Sequence, residues 1–189
     1  MAKDSLKQDK HFPNFFFSNS FRRLLTDPRQ FNTYIRAGQT VADLGCGPGF
    51  FAMPLADRVG NHGCVYAVDS NENAIAAVKR KAAKNGLNNI NAIVTSVANL
   101  EMIPDDSVDF ILGYGLLCSV APKDCKKAVE EIKRIMKPDG KAYLNAAKGS
   151  ISYLSDADWE SILSNFKVEW RNASSDKEYV SLVSKTILK

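Results

Sequence analysis

The segment VADLGCGPGF, residues 41–50, constrains the fold more than any other stretch of the 189 residues. An apolar run of strand length meets three glycines at alternate positions, Gly45, Gly47 and Gly49. Glycine permits backbone conformations and close approaches that a Cβ blocks. A strand that turns this sharply opens onto a helix whose first N–H groups point outward, where a ligand can lie against the main chain. Strand-like and helix-like stretches alternate from residue 38 onward, which predicts a parallel sheet with helices on both faces.

The rhythm can be followed along the chain. TVADL is the first strand, and PGFFAMPLADRVG reads as a helix ending at Gly60, with Pro54 either in its first turn or kinking it. CVYAVD is a second strand ending in Asp69. NENAIAAVKRKAAKNG sets Ala74, Ile75, Val78 and Ala82 at helical spacing, with basic residues on the other face. NAIVT and VDFILGY are strands three and four. KDCKKAVEEIKRIM places Ala128, Val129, Ile132, Ile135 and Met136 on one helix face, and KPDG stops it. KAYLNAA is a fifth strand. SDADWESILSNF opens like a capping box, with Ser155 followed by Asp158. KVEWRN and YVSLVSK, joined by the polar ASSDKE, close the chain as a hairpin.

Composition narrows the class. With 45% apolar and 24% charged residues, the chain reads as one soluble globular domain. No run approaches the roughly 20 apolar residues that span a bilayer, so stable membrane insertion is not expected. The opening MAKDSLKQDK is polar, without a secretory pattern, which points to the cytoplasm. The four cysteines form no CxxC pair and there are two histidines, so no metal site is expected and the thiols read as reduced and buried. Residues 1–36 carry seven Lys or Arg against three acids, which accounts for the whole net charge of +4. Such a modest excess favours an anionic small molecule or a solvated face and gives no support to nucleic acid as a partner. The same segment holds HFPNFFFSNSF, whose phenylalanines call for a covering surface: a lid over the domain, or a homodimer contact.

Two details bear on what the turn holds. A dinucleotide fingerprint is G-x-G-x-x-G, yet Phe50 stands at its third glycine and Pro48 lies between. Asp43 precedes the turn, where an acid suits a cationic amino-acid moiety better than a pyrophosphate. Asp69, ending the second strand, can accept two hydrogen bonds from a ribose diol.

Together the segments from VADLGCGPGFF to KRKA, IPDDSVDFILGYGLLCSV and AVEEIKRIMKPDGKAYL resemble class I S-adenosylmethionine-dependent methyltransferases over roughly residues 36 to 185. The similarity is greatest to the small-molecule branch that includes ubiquinone/menaquinone-biosynthesis and arsenite methyltransferase-like proteins. It implies an α/β, Rossmann-like three-layer sandwich: a seven-stranded, mostly parallel sheet with its last strand antiparallel. Residues 1–36 would be an N-terminal helical lid, and 37–189 the S-adenosylmethionine-binding domain. By the resemblance, Gly45, Cys46 and Gly47 line the cofactor's methionine and ribose, with Asp43 nearby. Asp69 takes the ribose hydroxyls beside Ser70. Ser96, Val97 and Ala98 border the adenine, and Gly113 lies under the methionine end. Phe16, Tyr34, Tyr114 and Cys118 are the acceptor-side candidates.

The chain departs from that pattern twice. Val97 stands where many relatives carry an Asp for the adenine amino group, which leaves that contact to backbone groups. Cys118 lies near a His of many small-molecule relatives, and no His occurs between Gly63 and the C-terminus. In methyl transfer from a sulfonium the cofactor supplies the reactivity, while the protein aligns the acceptor and excludes water. An acceptor that is already nucleophilic fits, and the sequence nominates no catalytic residue. A non-catalytic methyltransferase-fold scaffold is the alternative. A nicotinamide-dependent oxidoreductase is disfavoured by Pro48 and Phe50.

Overall fold

A computed structural model describes residues 26–149, 152–172 and 177–185. The phenylalanine-rich stretch with Phe16, and residues 173–176 of the expected hairpin loop, lie outside the described residues. Seven strands are present among the described residues: β1 (Thr40–Leu44), β2 (Cys64–Asp69), β3 (Ile90–Val94), β4 (Val108–Tyr114), β5 (Met136–Ala147), β6 (Phe166–Arg171) and β7 (Glu178–Lys185). Between them lie α1 (Ala52–Val59), α2 (Glu72–Lys84), α3 (Pro122–Ile135) and α4 (Asp156–Leu163), with a 3-10 turn at Pro28–Thr33 ahead of the sheet.

The strands form one sheet in the order β3-β2-β1-β4-β5-β7-β6. Pairing is parallel from β3 through β5, whereas β7 runs antiparallel to both β5 and β6. The expected doubly wound sheet with a reversed last strand is therefore the observed one. Its strand order reverses between β1 and β4, and in open α/β sheets ligands bind outside the carboxyl ends of strands at such a switch point.

Strand alternation divides the core. Val41, Val65, Phe110, Leu112, Tyr143 and Leu182 face α1 and the 3-10 turn. Ala42, Leu44, Ile111, Ala142 and Leu144 face the other way, onto Ala128, Val129, Ile132 and Ile135 of α3 and Trp159 and Ile162 of α4. Every β1 residue from Val41 to Leu44 is buried, as suits a central strand covered on both sides. The 3-10 turn before the sheet contributes to the first face. Phe31 is 1% exposed and meets Phe51, Phe110 and Tyr143 with ring centroids 5.6, 6.3 and 4.9 Å away. Arg58 of α1 secures this turn by donating to the carbonyls of Ile35 and Asn32 at 2.9 and 3.0 Å.

Local signals behave largely as read. Ser155 and Asp158 make a full capping box on α4, and Asn71 caps α2 by accepting from the Asn73 and Ala74 N–H groups. Pro54 is third in α1, where its missing N–H had no intrahelical acceptor. Two boundaries differ. The first helix starts at Ala52 rather than Pro48, because Gly47 and Gly49 adopt φ of 52° and 82°, which no α-helix accommodates. The KPDG segment is no simple stop: α3 ends at Ile135 and Met136 already pairs with Val108 in β5. Pairing then jumps to Phe110 with Lys141, so the intervening residues bulge out. Met136 is thus wholly buried from a strand, not from a helix face.

Candidate functional site

The glycine turn is closed from within. The N–H groups of Gly45 and Cys46 both donate to the Val68 carbonyl, at 2.8 and 2.9 Å, and that of Gly49 donates to the Cys46 carbonyl. The Gly47 N–H donates to Asp69 Oδ2 at 2.8 Å, while Asp69 Oδ1 accepts the Asn71 N–H at 2.8 Å. Gly45 holds φ at 73°, a left-handed conformation in which an ordinary residue is strained. A Cβ there would also come within 3.0 Å of Leu116. The turn is therefore a shape that only glycine fits, docked on the end of β2 by its own amides.

That use of the amides decides the ligand class. A pyrophosphate needs outward N–H groups, but those of Gly45, Cys46, Gly47 and Gly49 are spent inside the protein. What the turn presents is acidic. Asp43, near the end of β1, is 1% exposed. Asp69 closes β2, half-buried, with each oxygen holding one amide and lone pairs left for hydroxyl donors. The set suits a ribose diol and an ammonium group, and so fits S-adenosylmethionine.

Of the other expected residues, Cys46 and Ser70 sit in the same corner, but the Cys46 side chain is turned into the core among Ala52, Ala67, Ile75 and Val78. Only its backbone can meet a ligand. Burial pushes its thiol well above the ordinary range, and the charges of Asp43 and Asp69 act in the same direction. Val97 and Ala98 are buried on the α3 face, in a loop stapled by the Thr95 N–H to the Asp69 carbonyl and by Thr95 Oγ1 to the Asn99 carbonyl. Gly113 approaches Leu144 so closely that a Cβ would stand 3.1 Å from it.

Of the residues expected to meet the acceptor, Tyr114 is half-buried and hydrogen-bonded to the Thr26 hydroxyl at 3.1 Å. Cys118 is 1% exposed and donates to the Gly115 carbonyl, the arrangement of a packed thiol. Tyr34 stacks flat on Phe110, which lies four residues, about 13 Å, down β4 from Tyr114. It is brought to the aromatic face rather than to the turn. Phe16 lies outside the described residues.

The fold also brings to the site residues that the sequence did not single out. Lys81 of α2 donates to the Pro48 carbonyl and fixes the turn from above. Arg134 and Glu131 of α3 clamp the loop that follows Ala98. Asn145, on β5 beside Tyr114, is 5% exposed and donates to Glu178 at 2.6 Å. None has a local signature, since each partner is more than 30 residues away in the chain.

A sheet reversing between β1 and β4, with an inward-bonded glycine turn between two strand-ending acids, defines a class I S-adenosylmethionine-dependent methyltransferase fold. More narrowly, the chain belongs to the methyltransferase domain family, which matches residues 41–140. It is 33% identical over 111 residues to a 2-phytyl-1,4-naphtoquinone methyltransferase of Trichormus variabilis, covering 58% of this chain and 47% of that one. To a demethylmenaquinone methyltransferase of Geobacillus kaustophilus it is 32% identical, covering 56% and 44%. The chain thus spans just under half the length of these relatives. In fold it is similar to an S-adenosylmethionine-dependent methyltransferase from Aquifex aeolicus (TM-score 0.69, 24% identity, 89% of this chain and 99% of that one). A protein from Pyrococcus horikoshii superimposes with TM-score 0.76 at 18% identity, over 93% and 100%. Among the described residues no helix is long and apolar enough to cross a membrane.

Proposed function

We propose that this protein binds S-adenosylmethionine at the carboxyl ends of β1 and β2 and methylates a small, hydroxylated aromatic acceptor of the quinone-precursor kind. The observation that carries the reading is the acid-flanked turn whose amides point inward, which favours hydroxyl and ammonium groups over phosphate. The relatives named above, whose acceptors are quinone-type aromatics, support the acceptor class.

In this reading Asp69 holds the ribose hydroxyls, Asp43 lies toward the ammonium group, and the backbone from Ser96 to Ala98 borders the adenine. When bound, the cofactor supplies an electrophilic methyl group. The protein supplies position and dryness. Phe51, Tyr114 and Tyr143 form an aromatic wall on the acceptor side, with ring centroids 5.1 Å apart for the first pair and 6.5 Å for the second. Burial, and then the neighbouring Tyr114, Glu178 and Tyr34, push the Tyr143 hydroxyl up to about 12, so it stays a protonated donor at neutral pH. We take residues 37–189 as the methyltransferase domain, with residues 26–36 covering the acceptor side, as the Thr26–Tyr114 hydrogen bond supports. The four free cysteines favour a reducing compartment, in keeping with a cytoplasmic enzyme.

Calorimetric titration with S-adenosylhomocysteine, S-adenosylmethionine and NAD tests the reading, with Asp69→Asn beside the wild type. The substitution keeps the side-chain shape but removes the charge. We expect micromolar binding of the first two ligands, weakened at least about tenfold in the variant, the equivalent of one charge-assisted hydrogen bond. Preferential binding of NAD, or no binding of any ligand by folded protein, refutes it.

A further inference from the structure

α2 carries four basic residues, and only one of them is drawn inward. Lys79, Arg80 and Lys84 are exposed, whereas Lys81 is half-buried, three positions after the buried Val78 on the same face of the helix. An ammonium taken partly out of water needs a compensating partner. The partner of Lys81 is a backbone carbonyl, that of Pro48 in the glycine turn, and not a carboxylate. Gly45, Gly47 and Gly49 of that turn all adopt positive φ, and glycine gives a backbone its widest freedom. The amides of Gly45, Cys46 and Gly47 bind the turn to the end of β2. Toward α2, Gly49 lies so near Val78 that a Cβ would stand 3.1 Å from its methyl group, and Lys81 adds a hydrogen bond one turn further along the helix.

These contacts close a ring through Asp69. Its Oδ2 accepts the Gly47 N–H of the turn and its Oδ1 accepts the N–H of Asn71, the N-cap of α2, each at 2.8 Å. Lys81 ties the same helix back to Pro48, the residue after Gly47. The carboxylate is therefore aimed by two elements that Lys81 joins. We propose that Lys81 is a positioning residue: by holding the turn against α2 it sets the direction of the Asp69 carboxylate, and with it the capture of the ribose diol. The inference rests on the cofactor reading above. Hydrogen bonds to two neighbouring hydroxyls need the carboxylate to face both, and a rotated group loses one of them. Proline fixes its own φ, so a restraint on the Pro48 carbonyl leaves fewer free torsions between it and the Gly47 N–H. Burial, and then the neighbouring Arg80, push the Lys81 pKa down, which marks an ammonium partly withdrawn from water.

The test is calorimetric titration of the full chain with S-adenosylhomocysteine and with its 2′,3′-dideoxy analogue, which lacks the ribose diol. Lys81→Met should weaken S-adenosylhomocysteine about fivefold and leave the analogue within about twofold of wild type, because the loss is confined to hydrogen bonds that the diol makes. Lys81→Arg, which keeps a donor, should bring the loss under about twofold. In an Asp69→Asn background the Lys81→Met loss should also shrink below about twofold, since the two residues act through one interaction. Lys81→Gln, whose side chain is shorter, should show the pattern of Lys81→Met and serves if that variant fails to fold. Unchanged S-adenosylhomocysteine affinity in both variants overturns the inference. So does an equal loss for the two ligands, since the lysine would then hold the fold and not the carboxylate, and so do additive losses in the double variant. A wild type that binds no S-adenosylhomocysteine, or an Asp69→Asn variant that binds it as tightly as wild type, refutes the cofactor reading and the inference with it. An unchanged result confined to the Lys81 variants overturns the inference alone.

Discussion

Replacing Arg134 by Met should loosen the loop after β3 and lower the stability of the whole domain. The guanidinium donates through Nε to Glu131 Oε1 at 2.8 Å and through Nη2 to Glu131 Oε2 at 3.0 Å. It also donates to the carbonyls of Ile103 and Leu100, at 2.9 and 2.8 Å, and to Asp105 at 2.5 Å. Glu131 in turn accepts the Leu100 N–H at 2.7 Å, so one ion pair staples the chain between Leu100 and Asp105 to α3. Each backbone hydrogen bond is worth about 1 kcal/mol net. The partly buried Glu131 pair adds about 1 kcal/mol, while Asp105, with 73% of its side chain exposed, adds little. The loss is then about 3 kcal/mol, or roughly 6–12 °C in melting temperature for a chain of this size.

The assay is urea and thermal denaturation followed by circular dichroism, with S-adenosylhomocysteine affinity measured alongside. Arg134→Lys should recover less than half of the loss, because an ammonium cannot span both carboxylate oxygens and two carbonyls at once. The pH dependence has a definite sign. The hydrogen bond from Arg134, then the Leu100 amide and the charges of Arg134 and Lys127, hold the Glu131 carboxyl below its usual range. Its folded value is lower than its unfolded one, so the stabilisation is complete above the unfolded value of about 4.3 and is lost as pH falls toward the folded one. In Arg134→Met that acid-side loss should shrink. A penalty under about 1 kcal/mol, or an unchanged acid limb, would show that the clamp does not hold the loop.

Three further outcomes are expected. Gly45→Ala should cost about 2–3 kcal/mol against about 1 kcal/mol for Gly38→Ala. Both sit at left-handed φ, but only at Gly45 does the new Cβ meet a side chain, 3.0 Å from Leu116; equal penalties by urea denaturation would refute the contact. Phe31→Ala should cost about 4 kcal/mol, since the ring is 1% exposed against three aromatic partners. A loss below about 1 kcal/mol would mean that the turn before β1 does not belong to the core. In native protein at pH 8, Cys46 and Cys118 should resist Ellman's reagent while Cys64 and Cys125 react, because the first two are buried and the others half-buried. Rapid reaction of Cys46 would refute its placement.

How much of this was legible from the sequence depends on the range of the interaction. The alternation of strand and helix, the Ser155–Asp158 cap and the Gly45–Gly49 turn were legible because each is decided by residues a few positions apart. Asp43 and Asp69 could be placed beside the turn because their positions are set by the ends of β1 and β2. The boundaries at Ala52 and Met136 were not legible, since a turn conformation and a bulge against Val108 override the local periodicity. Phe31 was visible as one of many aromatic residues but not as a core residue, because burial depends on what the 3-10 turn packs against.

The carboxyl edge of the sheet shows the division most clearly. By itself the sequence determined the class of sheet, the turn and the acids that flank it, since these follow from periodicity and from residue types that few other positions tolerate. For the acceptor it offered Phe16, Tyr34, Tyr114 and Cys118, and no histidine. Only the tertiary structure decided which distant residues meet at that edge of the sheet. Asn145 and Glu178 lie 33 positions apart and meet because β7 returns antiparallel along β5. Glu131 and Arg134 reach the loop after β3 only because α3 packs across the sheet beneath it. Contacts between distant segments are set by the packing of whole elements, and no local pattern of residues records them.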